Sequence, residues 1–183
     1  LGKDNPDVAQ TIYNLARLRY AQGKYQQAEK LFQRALIIIE EKVEAEHPLV
    51  AQILNGLAVT YQSQAKYQEA ETTFQRVLRI WNKTLGKEHP LVAQLLNNIG
   101  VLYRIQGKYK QAEEMFQRSL GILEKLHGKE HILVSQLLNN LATIYQIQYK
   151  YSQAEKLYQR AMAIIEKGLS RSKAQKSELL SKF

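Results

Sequence analysis

Three histidines, His47, His89 and His131, each follow a glutamate (Glu46, Glu88, Glu130) and stand 42 residues apart. An imidazole beside a carboxylate is the pairing used in acid–base catalysis, and both groups are zinc ligands. A zinc site, however, needs its donors about 2.0–2.2 Å from one ion. Residues that recur at a fixed interval belong to successive structural units and lie about one unit apart, so they cannot share a metal within one chain. Their expected role is to cap helix N-termini and to link units, with His127 as one more linker histidine. The chain has no Gly-rich phosphate loop, no Gly-x-Ser-x-Gly turn and no metal-ligand helix motif. Neither catalysis nor a metal, a cofactor or a small-molecule substrate is therefore expected.

Amides are the other recurrent polar groups. Gln52, Gln94 and Gln136 share one repeat position, Asn55, Asn97 and Asn139 another, and Asn14, Asn98 and Asn140 a third. A side-chain amide offers both a donor and an acceptor, which suits the backbone of an extended peptide. The elements that hold these amides follow from the period. Pro6, Pro48 and Pro90 are equivalent, as are Tyr25, Tyr67, Tyr109 and Tyr151, so the same unit is written four times, over about 5–46, 47–88, 89–130 and 131–168. A fixed period in this range marks stacked supersecondary units.

Each unit reads as a helical hairpin. Pro at the first turn suits a helix start because its missing N–H would be unpaired there anyway. Asn5 is a good N-cap and the histidines weaker ones. Apolar Leu95, Leu96, Ile99, Leu102 and Tyr103 fall three and four apart and make one helical face. Gly23 and Gly107 end the first helix in two units, whereas Ala65 and Tyr149 stand in that place in the others. Those two turns are expected either to be strained or to differ in geometry. A second helix starts at each Tyr and carries Ala112, Phe116 and Leu120 on one side in the third unit, running to about Lys125. Small residues (Ala16, Ala58, Gly100, Ala142; Ala28, Ala70, Ala112, Ala154) let helices approach so that Phe32, Phe74, Phe116 and Tyr158 lock opposite them.

Composition agrees with a packed all-α chain. Hydrophobic residues make up 45% and charged residues 23% of the 183 residues, and cysteine is absent. No apolar run approaches the ~20 residues that span a bilayer, so no membrane contact is expected and a cytoplasmic location is. The net charge of +9 raises nucleic-acid binding. More than half the excess lies after residue 130, much of it in Arg171, Lys173, Lys176 and Lys182, and the recurrent Lys24, Lys66, Lys108 and Lys150 sit in turns rather than in a stripe. Nucleic acid is therefore set aside in favour of a protein partner. Residues 169–183 read as a basic tail or a partial capping helix whose few apolar residues are Leu179, Leu180 and Phe183. Leu1-Gly2-Lys3-Asp4-Asn5-Pro6 matches the linker Leu85-Gly86-Lys87-Glu88-His89-Pro90, as expected if the sequence were cut from a longer array.

The pattern resembles the tetratricopeptide repeat. Leu96, Ile99-Gly100, Tyr103, Gly107-Lys108-Tyr109, Ala112, Phe116 and Ser119 follow that family's order in the third unit, and most positions match in all four. Departures are local: Arg19 stands for Tyr, Val77 and Ser119 for Ala, and Ile132 for Pro. The usual period of the family is 34, and the longer one here, with HPLVAQLLNN, GKY, QAE and LGKEHP, is similar to repeats of kinesin light chain and of related bacterial and NLR-associated proteins. The resemblance implies a right-handed superhelical solenoid of four helix-turn-helix units over residues 1–168. It also implies a non-enzymatic module that binds a peptide or a partner protein's segment in a concave groove.

First helices line that groove. The face opposite their packed side holds Gln94, Asn97, Asn98, Val101 and Arg104 in the third unit, Gln52 and Asn55 in the second, Gln136, Asn139 and Asn140 in the fourth, and Tyr13 and Arg17 in the first. The Asn-Asn pair contributes to peptide binding in the repeats that these resemble. Arg17 and Arg104 would favour a carboxylate, and no acidic residue shares this face, so a neutral-to-acidic peptide is expected. Asn14, Asn98 and Asn140 could equally bond the backbone of an adjacent turn and fix repeat geometry. A self-associating scaffold is the alternative function, with the chain a monomer or a weak homodimer, because end units of an array leave apolar faces uncovered.

Overall fold

In a computed structural model, the structure describes residues 6–180, with side chains over 7–170. The Asn5 cap and the side chains of the basic tail lie outside the described residues. Eight helices follow one another: α1 (Pro6–Ala21), α2 (Tyr25–Glu40), α3 (Pro48–Ser63), α4 (Tyr67–Thr84), α5 (Pro90–Ile105), α6 (Tyr109–His127), α7 (Ile132–Ile147) and α8 (Tyr151–Leu180). There is no strand among the described residues, and no helix among them is long and apolar enough to cross a membrane. The first helix of every unit has 16 residues, whereas the second lengthens from 16 in α2 to 30 in α8.

Local chemistry explains the boundaries. The imidazole Nδ1 atoms of His47, His89 and His131 accept hydrogen bonds from the backbone N–H of Leu49, Leu91 and Leu133 at 3.2, 3.2 and 3.3 Å. Each histidine thus pairs one of the donors that a helix start leaves open. At the other end the four units share one C-cap. The N–H of Lys24, Lys66, Lys108 and Lys150 reaches back to the carbonyl of Arg19, Tyr61, Tyr103 and Tyr145 at 2.8–2.9 Å, the six-to-one bond of a Schellman motif. That motif needs a left-handed residue before the lysine. Gly23 and Gly107 supply it at φ 72° and 73°, and Ala65 and Tyr149 are forced into it at φ 59° and 61°. The period therefore overrides residue preference, and the two non-glycine turns are strained.

The helices fall into two compact bodies that divide within α5, one ending at Leu102 and the other starting at Tyr103. In the first body α1 packs on α2, α3 on α4, and α2 on α3; in the second α6 packs on α7 and α7 on α8. The alanines expected at close approaches, Ala16, Ala28, Ala58, Ala70, Ala112 and Ala142, are fully buried, and so are Phe74 and Phe116. Leu96, Ile99, Gly100 and Tyr103 are buried as one face of α5. Tyr158 departs from the expectation. It stands in the Phe position but is exposed, with its hydroxyl donating to Gln146 Oε1 at 3.2 Å. Tyr151 is exposed too.

Two stability measurements follow. Phe116→Ala empties a fully buried site and should cost about 3–5 kcal/mol in urea unfolding. Ala65→Gly should instead stabilise by roughly 1 kcal/mol, because relief of left-handed strain exceeds the extra entropy of an unfolded glycine; an unchanged or lower midpoint would contradict the strain.

A polar groove on the first helices

Within the first body, α1, α3 and α5 present their amide-bearing faces to one open groove of about 1050 Å³. Gln10, Asn14, Gln52, Asn55, Gln94 and Asn98 supply the polar lining, and Tyr13, Leu18, Val59, Leu91 and Trp81 the apolar part. Arg17 is the one charged side chain in the lining. Its guanidinium carbon lies 5.7 Å from the centre of the Tyr13 ring, and that ring lies 5.9 Å from Phe32 in a tilted arrangement. The contact holds Arg17 over an aromatic face and leaves its fork of donors free for a carboxylate. Toward the C-terminal end of α1, the Tyr20 hydroxyl and Ser63 Oγ lie 3.1 Å apart.

Asn55 is the sharpest feature. Its side-chain oxygen is buried and has no hydrogen-bond partner among the described residues. Reversing the amide would leave a donor unpaired instead, so the position has unmet hydrogen-bonding capacity in either assignment. Gly56, beside it, is needed for packing rather than for a turn. A Cβ there would come within 2.6 Å of the Phe32 ring, so the ring as it stands occupies the space that the Cβ of Asn98 or Asn140 takes in later units.

Of the residues expected on the binding face, Tyr13, Arg17, Gln52, Asn55, Gln94 and Asn98 come together here. Asn97 and Val101 are half-buried and stand outside the lining. Arg104 belongs to the second body, half-buried, with its Nε atom unpartnered among the described residues. Gln136, Asn139 and Asn140 lie on α7 in the same body; Gln136 is exposed and both asparagines are half-buried. Trp81 was not anticipated because it comes from a second helix. Its signal was nevertheless present, since this is the chain's single tryptophan, at a position that is Ile39 and Leu123 in neighbouring units.

A second polar cluster fixes adjoining units to each other. Glu29 on α2 accepts from Lys66 Nζ at 2.7 and 2.9 Å and from Gln64 Nε2 at 2.7 Å. Gln33 donates to the Tyr61 hydroxyl at 3.2 Å, and Lys66 lies over the Tyr61 ring. The second body repeats the design: Tyr145 donates to Glu113 at 3.0 Å, Gln117 donates to Tyr145 at 3.4 Å, and Lys150 covers the Tyr145 ring. Burial pushes the Glu29 carboxyl up, but hydrogen bonds from Lys66 and Gln64 and the lysine's charge outweigh it and hold the group below its ordinary value of 4.5. The hydrogen bond to Glu29 raises Lys66 in turn. Burial, reinforced by Glu113, raises the Tyr145 hydroxyl. No group of three His, Asp or Glu side chains among the described residues could hold a metal ion.

Four hairpins with the same Schellman turn, three of them capped by histidine, together with alanine contacts and an amide-bearing groove, define an α-helical repeat protein. A sequence profile described as "Tetratricopeptide repeat" matches residues 7–83, 49–125 and 91–167, and the chain belongs to that family. Solved structures agree. BtubC (BKLC) from P. vanneervenii superimposes with a TM-score of 0.83 at 29% identity over 88% of this chain, which spans 65% of that one. A kinesin-light-chain-type protein of Podosopora anserina with nearly identical TPR-like repeats gives a TM-score of 0.77 at 27% identity, over 92% of this chain and 80% of that one. The apo form of RapI shares the fold at 22% identity with a TM-score of 0.77, over 94% of this chain and 61% of that one. Among curated protein sequences, none matches. Tetratricopeptide repeats are in general protein–protein interaction modules, and the family and its neighbours are typically scaffolds without catalysis.

The Glu29 cluster has a testable pH signature. A carboxyl lowered by folding stabilises the protein above its unfolded value, and that contribution disappears as pH falls through the folded value. Glu29→Gln should therefore destabilise the protein near neutral pH, and its deficit relative to the wild type should shrink as pH drops below 4.5. Urea unfolding at a series of pH values reads this directly.

Proposed function

We propose that the chain is a non-catalytic docking module that holds an extended, neutral-to-acidic segment of a partner protein in the groove of α1, α3 and α5. The observation that supports this most is the unpartnered, buried Asn55 oxygen in a groove that combines amides and one arginine with apolar and aromatic side chains. A buried polar atom without a partner costs about 1–3 kcal/mol, and a peptide backbone can recover that by donating an N–H. The spacing suits such a ligand. Neighbouring helices lie ~8–10 Å apart and an extended chain advances ~3.3 Å per residue, so an amide rung meets it about every third residue. Arg17, the one cation of the lining, sets the preference for a ligand carboxylate.

Trp81 supplies an intrinsic probe, because it is the single tryptophan and lines the groove. Titration with acidic and basic peptide pools should shift Trp81 fluorescence for the acidic pool. For the best acidic binder, Arg17→Ala should weaken affinity about tenfold or more and Asn55→Ala about fivefold. Gln68→Ala, on an exposed site of α4, should leave affinity unchanged. Full affinity in both groove variants would rule the site out.

A further inference from the structure

The α2/α3 and α6/α7 joints carry the same types of polar side chain but differ in what closes them. In the first body the Lys66 ammonium reaches both oxygens of Glu29, at 2.7 and 2.9 Å, so the lysine's charge is neutralised within the joint. In the second body a tyrosine takes that place. The Tyr145 hydroxyl and Gln117 Nε2 both donate to Glu113 Oε1, at 3.0 and 3.1 Å. Lys150, the equivalent of Lys66, lies over the Tyr145 ring at 5.3 Å and makes no ion pair among the described residues. Tyr61 leaves Glu29 to its lysine because its own hydroxyl accepts from Gln33.

Two more groups in the second body are unmatched. Gln148 turns its Nε2 toward Glu113 Oε2 at 3.5 Å, and its Oε1 is buried without a hydrogen-bond partner among the described residues. Reversing the amide would set oxygen against carboxylate, so the open atom is an acceptor. Lys110 is the other. Its position holds Gln26, Gln68 and Ser152 in the other units, and its exposed side chain makes no ion pair among the described residues. It contributes nothing to α6 itself, whose first turn favours anions over cations.

These groups line one cleft of about 560 Å³, formed by Gly107, Tyr109, Lys110, Glu113, Gln148 and Lys150. Its two ammonium groups outnumber a single carboxylate that already accepts three hydrogen bonds. We propose that this cleft is a second docking site, independent of the groove, for one acidic residue in an exposed segment of a protein partner. The residue's carboxylate sits between Lys110 and Lys150, and a backbone N–H beside it donates to Gln148 Oε1. A peptide is favoured over a free carboxylate ion because the ion has no donor for Gln148. A carboxylate is favoured over a phosphate because the lining's net charge of one matches one negative charge rather than nearly two. The whole site lies within the second body, so it does not rest on the reading of the groove.

The isotope-labelled full chain can be titrated with a capped peptide of one aspartate between two alanines and followed by NMR. The Gln148 side-chain amide and the backbone amides of Lys110 and Lys150 should shift. The asparagine counterpart should bind about fivefold more weakly, and so should the aspartate peptide to Lys110→Gln. That substitution puts the residue of the first two units on an exposed site, so the fold tolerates it. Arg17→Ala, in the groove of the other body, should leave these shifts unchanged, which keeps the outcome here apart from the groove's. Absence of shifts at these residues would overturn the proposal, as would equal affinity for the asparagine peptide or undiminished affinity in Lys110→Gln. A phosphoserine counterpart that binds more tightly than the aspartate peptide would also overturn it and assign the cleft to phosphorylated segments.

Discussion

A helical hairpin of this kind cannot bury both of its faces by itself, and the rest of the structure depends on how the next unit closes the open one. Phe32 and Gly56 show the constraint at its tightest. The ring reaches so far into the neighbouring unit that a methyl group on residue 56 would sit 2.6 Å from it. Close packing of this sort is steep in energy, since one excess carbon already forces side chains off their preferred positions. Alanines at Ala28, Ala58 and Ala70 give the backbones room to approach, and the phenylalanine fills what remains. Polar groups then fix the angle. Glu29, Gln64 and Lys66 bind across the same joint that Phe32 packs, and Tyr61 contributes both a ring for the lysine and a hydroxyl for Gln33.

The period dictates local geometry even where the residues resist it. Four first helices of equal length end in the same six-to-one bond, and Ala65 and Tyr149 take the left-handed conformation that glycine takes elsewhere. The strain is tolerated because a different turn would rotate the second helix and open the joint. Loss of a joint costs more than the roughly 1–2 kcal/mol of one strained residue.

Much of this was legible in the sequence, because helix starts, turns and packing faces depend on residue type and spacing alone. Pro at the first turn, histidine before it and alanine at the contacts each have one physical reading. The groove was legible only in part. Asn97 and Asn98 are chemically identical and differ by about 100° around the helix, so the choice between them depends on the direction from which the neighbouring units approach. Asn98 lines the groove and Asn97 does not. Trp81 escaped notice because it enters from a second helix, which the repeat pattern assigns to packing. Tyr158 misled for the opposite reason: its position promised burial, and burial needs a neighbour that the position itself cannot supply.

The same reasoning separates the two polar features of the joint. The Glu29 cluster has its hydrogen bonds supplied from within the chain and needs nothing more to be stable. The groove is different, because Asn55 keeps an unpaired buried oxygen while its neighbours are amides that bond one another weakly, Gln10 reaching Asn14 at 3.4 Å. An array selected for stability alone would put apolar or fully paired residues on that face. An unpaired buried amide oxygen set among the amides of α1, α3 and α5, beside a single cation held against an aromatic ring, is what a surface needs if it is to be completed by another backbone.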